Sequence, residues 1–236
     1  MIEKTENFSK IEAGALSTAS LRIIASVSML LDHIAYAFLE DTSAAYLILR
    51  CLGRAAVIIY AFLLSEGFMH TRSIRKYLLR LGVFAAISEP AFQLFKTGEL
   101  HSVTFQNTMM TLFLSLVMLI VISMAEKRNR YLPFVAAGIA SAIGWALKMD
   151  YGISLPLCVA VLYIFRDKHE TRLLLACLIF VLEYNMHILY STASIATVFA
   201  VSFLYNGQKG KSYKYAGYIF YPAHLLLLYL IKTLTI

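Results

Sequence analysis

Charged side chains are scarce in this chain of 236 residues, where only 15% are Asp, Glu, Lys or Arg and 60% are hydrophobic. A soluble domain of this size does not hide so much apolar surface, so the composition predicts an integral membrane protein. Acidic residues are the scarcer charge, which leaves a formal net charge of +7. The basic residues are scattered over short polar connections without a recognition helix or an aromatic platform, and nucleic acid is therefore not an expected partner.

Cysteine is also scarce. The three cysteines, Cys51, Cys158 and Cys177, lie singly in apolar runs. Their spacing fits neither a disulfide framework nor a metal site. Histidines and carboxylates also lack a convincing ligand spacing, so we expect no metal. Internal repeats and low-complexity tracts are absent from the sequence, which gives little support to an inverted-repeat transporter.

Long apolar runs dominate the rest of the chain, and each is a candidate helix because a bilayer-spanning helix needs about 17–25 mostly apolar residues. They predict an all-α fold, a polytopic integral membrane helical bundle of about nine transmembrane helices. The sixth and eighth are short for a full crossing. The nine predicted spans are 20–39, 45–66, 78–96, 103–124, 131–148, 151–165, 173–189, 190–205 and 215–234.

Lysine and arginine gather in every second connection between these spans, at 72–80, 127–130, 166–172 and 209–214. By the positive-inside rule this alternation predicts a cytosolic N-terminus, an external C-terminus and nine crossings. Residues 1–18 lack the basic-then-apolar pattern of a signal peptide and are expected to form a polar cytosolic leader. A single transmembrane domain, 19–236, is predicted to follow.

Ionisable residues occur inside the first two predicted spans. Arg22 and His33 are eleven positions apart, so they return to nearly the same helix face, and Asp32 adjoins the histidine. Such residues are costly in a bilayer and indicate function by default. Asp32 could neutralise Arg54 of the second span or orient His33, although the three could instead form a structural cluster that holds two helices together. For Arg50, near the interface, we expect a snorkelling side chain.

A basic group follows at the predicted cytosolic end of the second span, where Glu66 and His70 precede Arg72, Arg75 and Arg80. Glu66 and His70 can pair if the helix continues, although the intervening glycine could end it. Arginine and histidine in this density can bind phosphates through charge-assisted hydrogen bonds. The alternative is ordinary positive-inside retention with contacts to anionic lipid.

The ninth span places Tyr218, Tyr221 and His224 at intervals of three around Pro222. A proline in a membrane helix often marks a bend near a polar site. His224 is thus a second candidate for chemistry, or else a core histidine that a neighbour satisfies. For other polar residues within the spans we expect interhelical hydrogen bonds as the main role; these are Glu89, Gln106, Asn107, Asp150, Glu183, Asn185 and His187, with Glu89 a possible partner for an arginine.

Two sets of motifs stand in order near the two ends of the chain. They are Asp32-His33, Gly53-Arg54, Phe62–Gly67, His70–Arg72 and Lys76–Arg80 in the first set, and Tyr205–Gly207 and Phe220–Leu225 in the second. From about residue 20 to the C-terminus the chain thereby resembles the TraX family of membrane proteins. This family is named for the protein that acetylates the N-terminus of conjugative F-pilin. It is similar to the type-three integral membrane acyltransferases, which also carry an arginine, ten residues and then a histidine in an early span.

The resemblance implies acyl transfer from acetyl-CoA at a bacterial cytoplasmic (inner) membrane. His33 would be the general base, oriented by Asp32, and Arg54 would stabilise the oxyanion. The predicted acyl-CoA-binding residues are Arg22, Glu66, His70, Arg72, Arg75 and Arg80, and the further site residues are Asn107, Tyr221 and His224.

The expected partners are acyl-CoA, membrane lipids and an exported peptide or pilin-like acceptor with a free N-terminal amine. An exported saccharide that accepts the acyl group on a hydroxyl is the alternative within enzymes. Direct transfer and a relay through an acyl-histidine both fit the sequence. The alternative outside enzymes is a transporter or an assembly protein of a secretion or conjugation system, whose charges line a pathway or fix assembly.

Overall fold

The computed structural model describes residues 14–100, 105–211 and 215–235, and within them the chain folds into nine α-helices. Residues 1–13 of the predicted leader and Lys214 of the last basic connection lie outside the described residues. The helices are α1 (Thr18–Phe38), α2 (Ala44–His70), α3 (Ile74–Thr97), α4 (Thr108–Ala125), α5 (Leu132–Ala146), α6 (Ser154–Ile164), α7 (His169–Glu183), α8 (Ile188–Leu204) and α9 (Ala216–Thr235).

Polar caps fix the starts of the four longest early helices. Ser17, Ser43, Ser73 and Asn107 each accept, through the side-chain oxygen, a hydrogen bond from the backbone N–H three residues further on. These side chains satisfy N–H groups that a helix leaves without partners in its first turn. Gly98 ends α3 in the left-handed conformation with φ 76°, which glycine adopts without steric cost.

Five helices, α1, α2, α3, α4 and α9, are long and apolar enough to cross a membrane. The helices α5, α6 and α8 are apolar but shorter, and α6 with 11 residues spans about 16 Å, against a hydrocarbon core of about 30 Å. The predicted helical membrane bundle is therefore confirmed. Crossing by all nine helices, and a cytosolic N-terminus, stay predictions.

The interior of the bundle contains polar and charged side chains among the apolar ones. Helix α1 packs most extensively on α2, and α2 also contacts α4, α6 and α8. Charged and hydrogen-bonding side chains are buried between helices, whereas large apolar residues such as Ile23, Leu79 and Leu227 lie exposed on the outside. This arrangement suits lipid outside and polar contacts between helices inside.

The start of α1 binds the basic connection between α8 and α9. The Thr18 N–H donates to the Gln208 carbonyl at 2.8 Å, and the Ala19 N–H donates to the Lys209 carbonyl at 3.0 Å. This contact places the N-terminal end of α1 and a lysine-bearing connection on one side of the bundle. The arrangement agrees with the side assignment that the positive-inside rule predicts.

Most helix boundaries differ from the predicted ones by a few residues, and two of the differences affect residues near the site. Helix α2 runs through Gly67 to His70, because the glycine leaves room for the Tyr77 side chain of α3 rather than ending the helix. Helix α7 ends at Glu183 instead of continuing to 189, since Asn185 and Met186 adopt left-handed conformations with φ 48° and 59°. Glu183 therefore lies at a helix end and not within a span.

Candidate functional site

A cavity of about 200 Å³ runs through the bundle between α1, α2, α3 and α9. Arg22, Tyr77 and Tyr218 line it at the side where α1 begins, and His33 and Lys96 line it towards the other side. Arg22 and His33 are eleven residues apart on α1, which corresponds to about 16 Å of helix rise. The cavity thus connects the basic side of the bundle with the intramembrane charges, along the helix face that the sequence predicts.

The buried charges of this cavity form one cluster between α1 and α2. Arg50 Nη1 donates to Asp32 Oδ2 at 2.5 Å, and Arg54 Nη2 donates to Asp32 Oδ1. Asp32 and Arg54 are only 9% and 6% exposed. The prediction that Asp32 could neutralise Arg54 is confirmed. The interpretation of Arg50 as a snorkelling residue is wrong, because its guanidinium turns inward to the same carboxylate.

Gly53 makes this close approach possible. A Cβ at position 53 would overlap the side chain of Asp32. Glycine at a helix contact lets two backbones come near, and here it leaves space for a carboxylate against the opposing helix. The Gly53-Arg54 pair therefore acts as a unit, in which one residue admits Asp32 and the next neutralises it.

Arg54 has further partners on the second half of the chain. Its Nη1 donates to the Tyr151 hydroxyl oxygen at 2.7 Å, and its Nε donates to the Arg50 carbonyl at 3.0 Å. The rings of Tyr184 and Tyr190 lie 5.3 and 5.5 Å from the guanidinium carbon, which fits cation–π contacts. A guanidinium carries five N–H groups, so these contacts fix Arg54 and leave donors for a developing oxyanion.

The two candidate histidines meet across the bundle. His33 Nδ1 and His224 Nε2 are 2.7 Å apart with the rings stacked, and His224 Nδ1 lies 2.8 Å from the Phe220 carbonyl. A carbonyl can only accept, so His224 Nδ1 carries its proton and His224 Nε2 accepts from His33 Nδ1. This chain of hydrogen bonds assigns the lone pair of His33 to Nε2.

The partner that orients His33 is therefore His224. The sequence assigns that role to Asp32, but the structure directs both oxygens of Asp32 to the arginines of α2. The tautomer follows from the contact on Nδ1, as is general for histidines whose second nitrogen does chemistry. The prediction that His224 is a second candidate for the site agrees with its position beside His33.

A second carboxylate reaches the cavity from the connection between α5 and α6. Thr108 Oγ1 donates to Asp150 Oδ2 at 2.5 Å, and Thr111 Oγ1 donates to the Asp150 carbonyl at 2.7 Å. Tyr221 hydrogen-bonds to Thr108 and is 5% exposed. Tyr221 thus lines the cavity as a predicted site residue.

Sequence reasoning missed the site positions of Asp150, Tyr151 and Lys96. All three line the cavity, and Lys96 lies within electrostatic reach of both His33 and Asp150. The available signal was the polar break Asp150–Gly152 between two apolar runs, for which only interhelical hydrogen bonding was expected. Lys96 gave no signal, because a lysine at a helix end is ordinary.

The predicted acyl-CoA residues are divided among three places. Arg22 lines the cavity at the basic side, and the Arg80 guanidinium carbon lies 5.5 and 5.3 Å from the rings of Tyr77 and Tyr218. Arg72 and Arg75 are exposed beside the start of α3. The structure therefore brings Arg22 and Arg80 to the cavity mouth and leaves two arginines on the surface next to it.

Glu66 and His70 form a contact of their own. His70 Nδ1 lies 3.7 Å from Glu66 Oε2, so the pair expected from their spacing forms. The Tyr205 hydroxyl donates to Glu66 Oε2 at 3.4 Å and lies 3.1 Å from Thr18 Oγ1. Glu66 thus joins α2 to the end of α8 and the start of α1, beside the cavity mouth.

Asn107 occupies a structural position between α3 and α4. It is 0% exposed, caps α4, and donates through Nδ2 to Glu89 Oε2 and to the Ala85 carbonyl. Gln93 Nε2 donates to Glu89 Oε1 at 2.5 Å. The suggestion that Glu89 counters an arginine is wrong, since its carboxylate takes amide donors from α3 and the start of α4.

Comparison with known proteins identifies the family of this chain. The family described as TraX protein matches residues 17–232. A protein named "Probable fimbrial assembly protein FimC, serogroup H1", from Dichelobacter nodosus, is 32% identical over 233 residues, which cover 90% of this chain and 94% of that protein. No solved structure matches the chain. With a match over nearly its whole length, this chain belongs to the TraX family.

Proposed function

We propose that this protein is a membrane acyltransferase that moves an acetyl group from acetyl-CoA to the N-terminal amine of an exported, pilin-like peptide. The observation that carries the proposal is the cavity that joins a basic face to the hydrogen-bonded pair of His33 and His224. Membership of the TraX family and similarity to a protein named for fimbrial assembly support a pilin-like acceptor.

The donor would bind from the basic side. Arg72, Arg75 and Arg80 offer forked donors that match phosphate oxygens, and they lie next to the cavity mouth at Arg22. The acyl-bearing arm of acetyl-CoA would lie in the cavity between α1, α2, α3 and α9. Arg22, at the cavity mouth, would contact the phosphate-proximal end of that arm.

The reaction would take place beside His33. The neutral amine attacks the thioester carbonyl carbon while His33 Nε2 accepts the proton that the nitrogen loses. Arg54 stabilises the oxyanion of the tetrahedral intermediate with a remaining N–H. The carbon–sulfur bond then breaks, and the proton on His33 passes to the sulfur, so the products are an acetylated peptide and the free thiol of CoA. His224 Nε2 keeps its hydrogen bond to His33 Nδ1 throughout.

The proposal is tested with the purified chain in nanodiscs, acetyl-labelled CoA and a peptide with a free N-terminus. Both labelled peptide and released thiol are measured for the wild type and for His33→Ala. We expect label on the peptide from the wild type and not from the variant. Equal labelling by the variant would refute the role of His33.

The second candidate is a non-enzymatic assembly protein. The name of the Dichelobacter nodosus relative favours it, since that protein is named for fimbrial assembly and for no catalytic activity. In this function Asp32, Arg50 and Arg54 would hold α1 and α2 together without taking part in chemistry. It predicts a complex with the pilin-like protein and no thiol release from acetyl-CoA, which is the outcome that would replace the enzyme proposal.

A further inference from the structure

A second pocket lies on the far side of Tyr151 from the cavity. Its volume is about 270 Å³, and Phe105, Trp145, Lys148 and Glu183 are among the residues that line it. Tyr151 lines both spaces. Tyr151 therefore contacts both this outer pocket and the cavity that holds His33.

The backbone that carries Tyr151 is unusually constrained. Lys148 and Tyr151 have φ angles of 52° and 54°, a region that non-glycine residues adopt only at a cost. Gly144 and Gly152 pack so closely that a Cβ on either would overlap the backbone of the other. This packing, together with the hydrogen bond from Arg54 to the Tyr151 hydroxyl, holds the tyrosine between the two spaces.

A carboxylate lies on each side of this tyrosine. Asp150 lines the cavity and Glu183 lines the outer pocket. Within residues 14–100, 105–211 and 215–235, neither of them has an ion-pair partner within 4 Å, in contrast to Asp32, which binds two arginines. A carboxylate that is partly removed from water and has no cation at ion-pair distance is suited to receive one from a ligand.

We infer that the outer pocket receives the acceptor peptide, with its N-terminal ammonium on Glu183, and that the ammonium then passes Tyr151 to Asp150. There it gives one proton to the Asp150 carboxylate, from which the proton leaves to water, and the neutral amine reaches His33. This inference rests on the proposed acyl transfer, and it specifies the acceptor as a cation rather than a neutral hydroxyl. Glu183 accepts hydrogen bonds from the ammonium, and Lys148 is available for the first peptide carbonyl.

Other residues that line the outer pocket indicate which side chains should follow the N-terminal amine of the acceptor. Trp145 and Phe105 are 69% and 49% exposed and present apolar rings. Aromatic rings at a membrane surface contact apolar side chains and chains that emerge from the bilayer. The expected ligand is therefore a peptide whose first residues are apolar.

The test measures peptide binding without acetyl-CoA. The full chain in nanodiscs is titrated with a peptide that has an apolar start and a fluorophore at its C-terminus, once with a free N-terminus and once N-acetylated. Because a hydrogen-bonded charge contributes to binding, the free peptide should bind about tenfold more tightly than the acetylated one. Glu183→Gln should abolish this preference while it leaves the affinity for the acetylated peptide unchanged.

Glu170→Gln is the matched control, since it changes a glutamate at the opposite end of the same helix and should keep the preference. Equal binding of the two peptides by the wild type, no binding of either, or a preference that survives in Glu183→Gln would overturn the inference. Thiol release is measured separately. A wild type that prefers the free amine but never releases thiol would refute acyl transfer and leave an ammonium-binding pocket.

Discussion

The two ends of the main cavity differ in how their charges are held. At the His33 end, Asp32 and Arg54 are buried and bind each other, and a histidine pair is fixed by a backbone carbonyl. At the basic end, Arg72 and Arg75 are exposed to the surroundings. The first end has the fixed geometry that the proposed catalysis would require, whereas the second has accessible charge that would attract an anionic ligand.

Because of this difference, substitutions at the two ends should differ in the size of their effect on stability, rate and affinity. Removal of one partner from a buried ion pair leaves a charge without compensation, which costs about 3–5 kcal/mol. Exposed charges contribute far less, because water and salt screen them. Changes near His33 should therefore alter the rate or the stability of the protein, and changes at the basic end should alter only the affinity for the donor.

The largest effect is expected for His33→Ala. Loss of the general base should lower the rate of acetyl transfer by about 10²–10⁴-fold, with little change in thermal stability. The assay is labelled peptide formed per minute in nanodiscs. His169→Ala, a histidine at the start of α7, is the control and should retain the wild-type rate. A His33→Ala variant with normal turnover would show that the His33 end of the cavity is not the end where the reaction takes place.

Asp32→Asn should destabilise the protein most. The change leaves Arg50 and Arg54 with a neutral partner inside the bundle, so the free energy of unfolding should fall by about 3–5 kcal/mol. Denaturant unfolding in detergent micelles measures it. Asp167→Asn removes a carboxylate that is 82% exposed and 3.9 Å from Arg166, and it should leave unfolding unchanged. Similar stabilities for both variants would contradict a structural role for the buried cluster.

His224 should act as a positioning residue, and two substitutions separate this role from simple packing. His224→Leu removes the acceptor for His33 Nδ1 and should lower kcat by about 10–100-fold, the value of one hydrogen bond to a charged group. His224→Gln offers a side-chain oxygen in its place and should restore part of the rate. Both variants should keep the KM for acetyl-CoA. Equal loss in the two variants would indicate packing alone.

The smallest effect is expected at the basic end. The double variant Arg72→Gln, Arg75→Gln should raise the KM for acetyl-CoA by about tenfold, since each arginine offers a charge-assisted hydrogen bond, while kcat stays unchanged. Added salt should reduce the difference from the wild type. Lys127→Gln, Arg130→Gln in another exposed basic connection is the control. A fall in kcat would place these arginines closer to the chemistry than the structure does.

Much of the fold follows from hydropathy and charge. Each of the nine apolar runs corresponds to one of the nine helices in the described part of the chain. Polar residues bound each apolar run, and such residues can cap or break a helix. Hydropathy continues the seventh span to 189, whereas α7 ends at Glu183. Asn185 and Met186 turn the chain in the left-handed conformation, and an average over apolar residues cannot detect a single turn of that kind.

The candidate site was predictable where its residues are neighbours on one helix or on successive helices. Asp32 and Arg54 could be paired from their depth in the first two spans. Arg50 was misinterpreted, because its depth near the interface does not reveal that its side chain turns inward. The contact of His33 with His224 joins residues 191 positions apart, so motifs could name both residues but not the hydrogen bond between them.

The Asp32 carboxylate of α1, which binds both arginines of α2, also affects how the chain enters the membrane. Inserted alone, α2 would carry two arginines into the membrane, and an arginine costs about 2.5–3.5 kcal/mol at the centre of a span and less near its ends. Asp32 compensates both at once, and Gly53 lets it come near enough to do so. The first two helices are therefore expected to enter the bilayer most favourably together, as one hairpin.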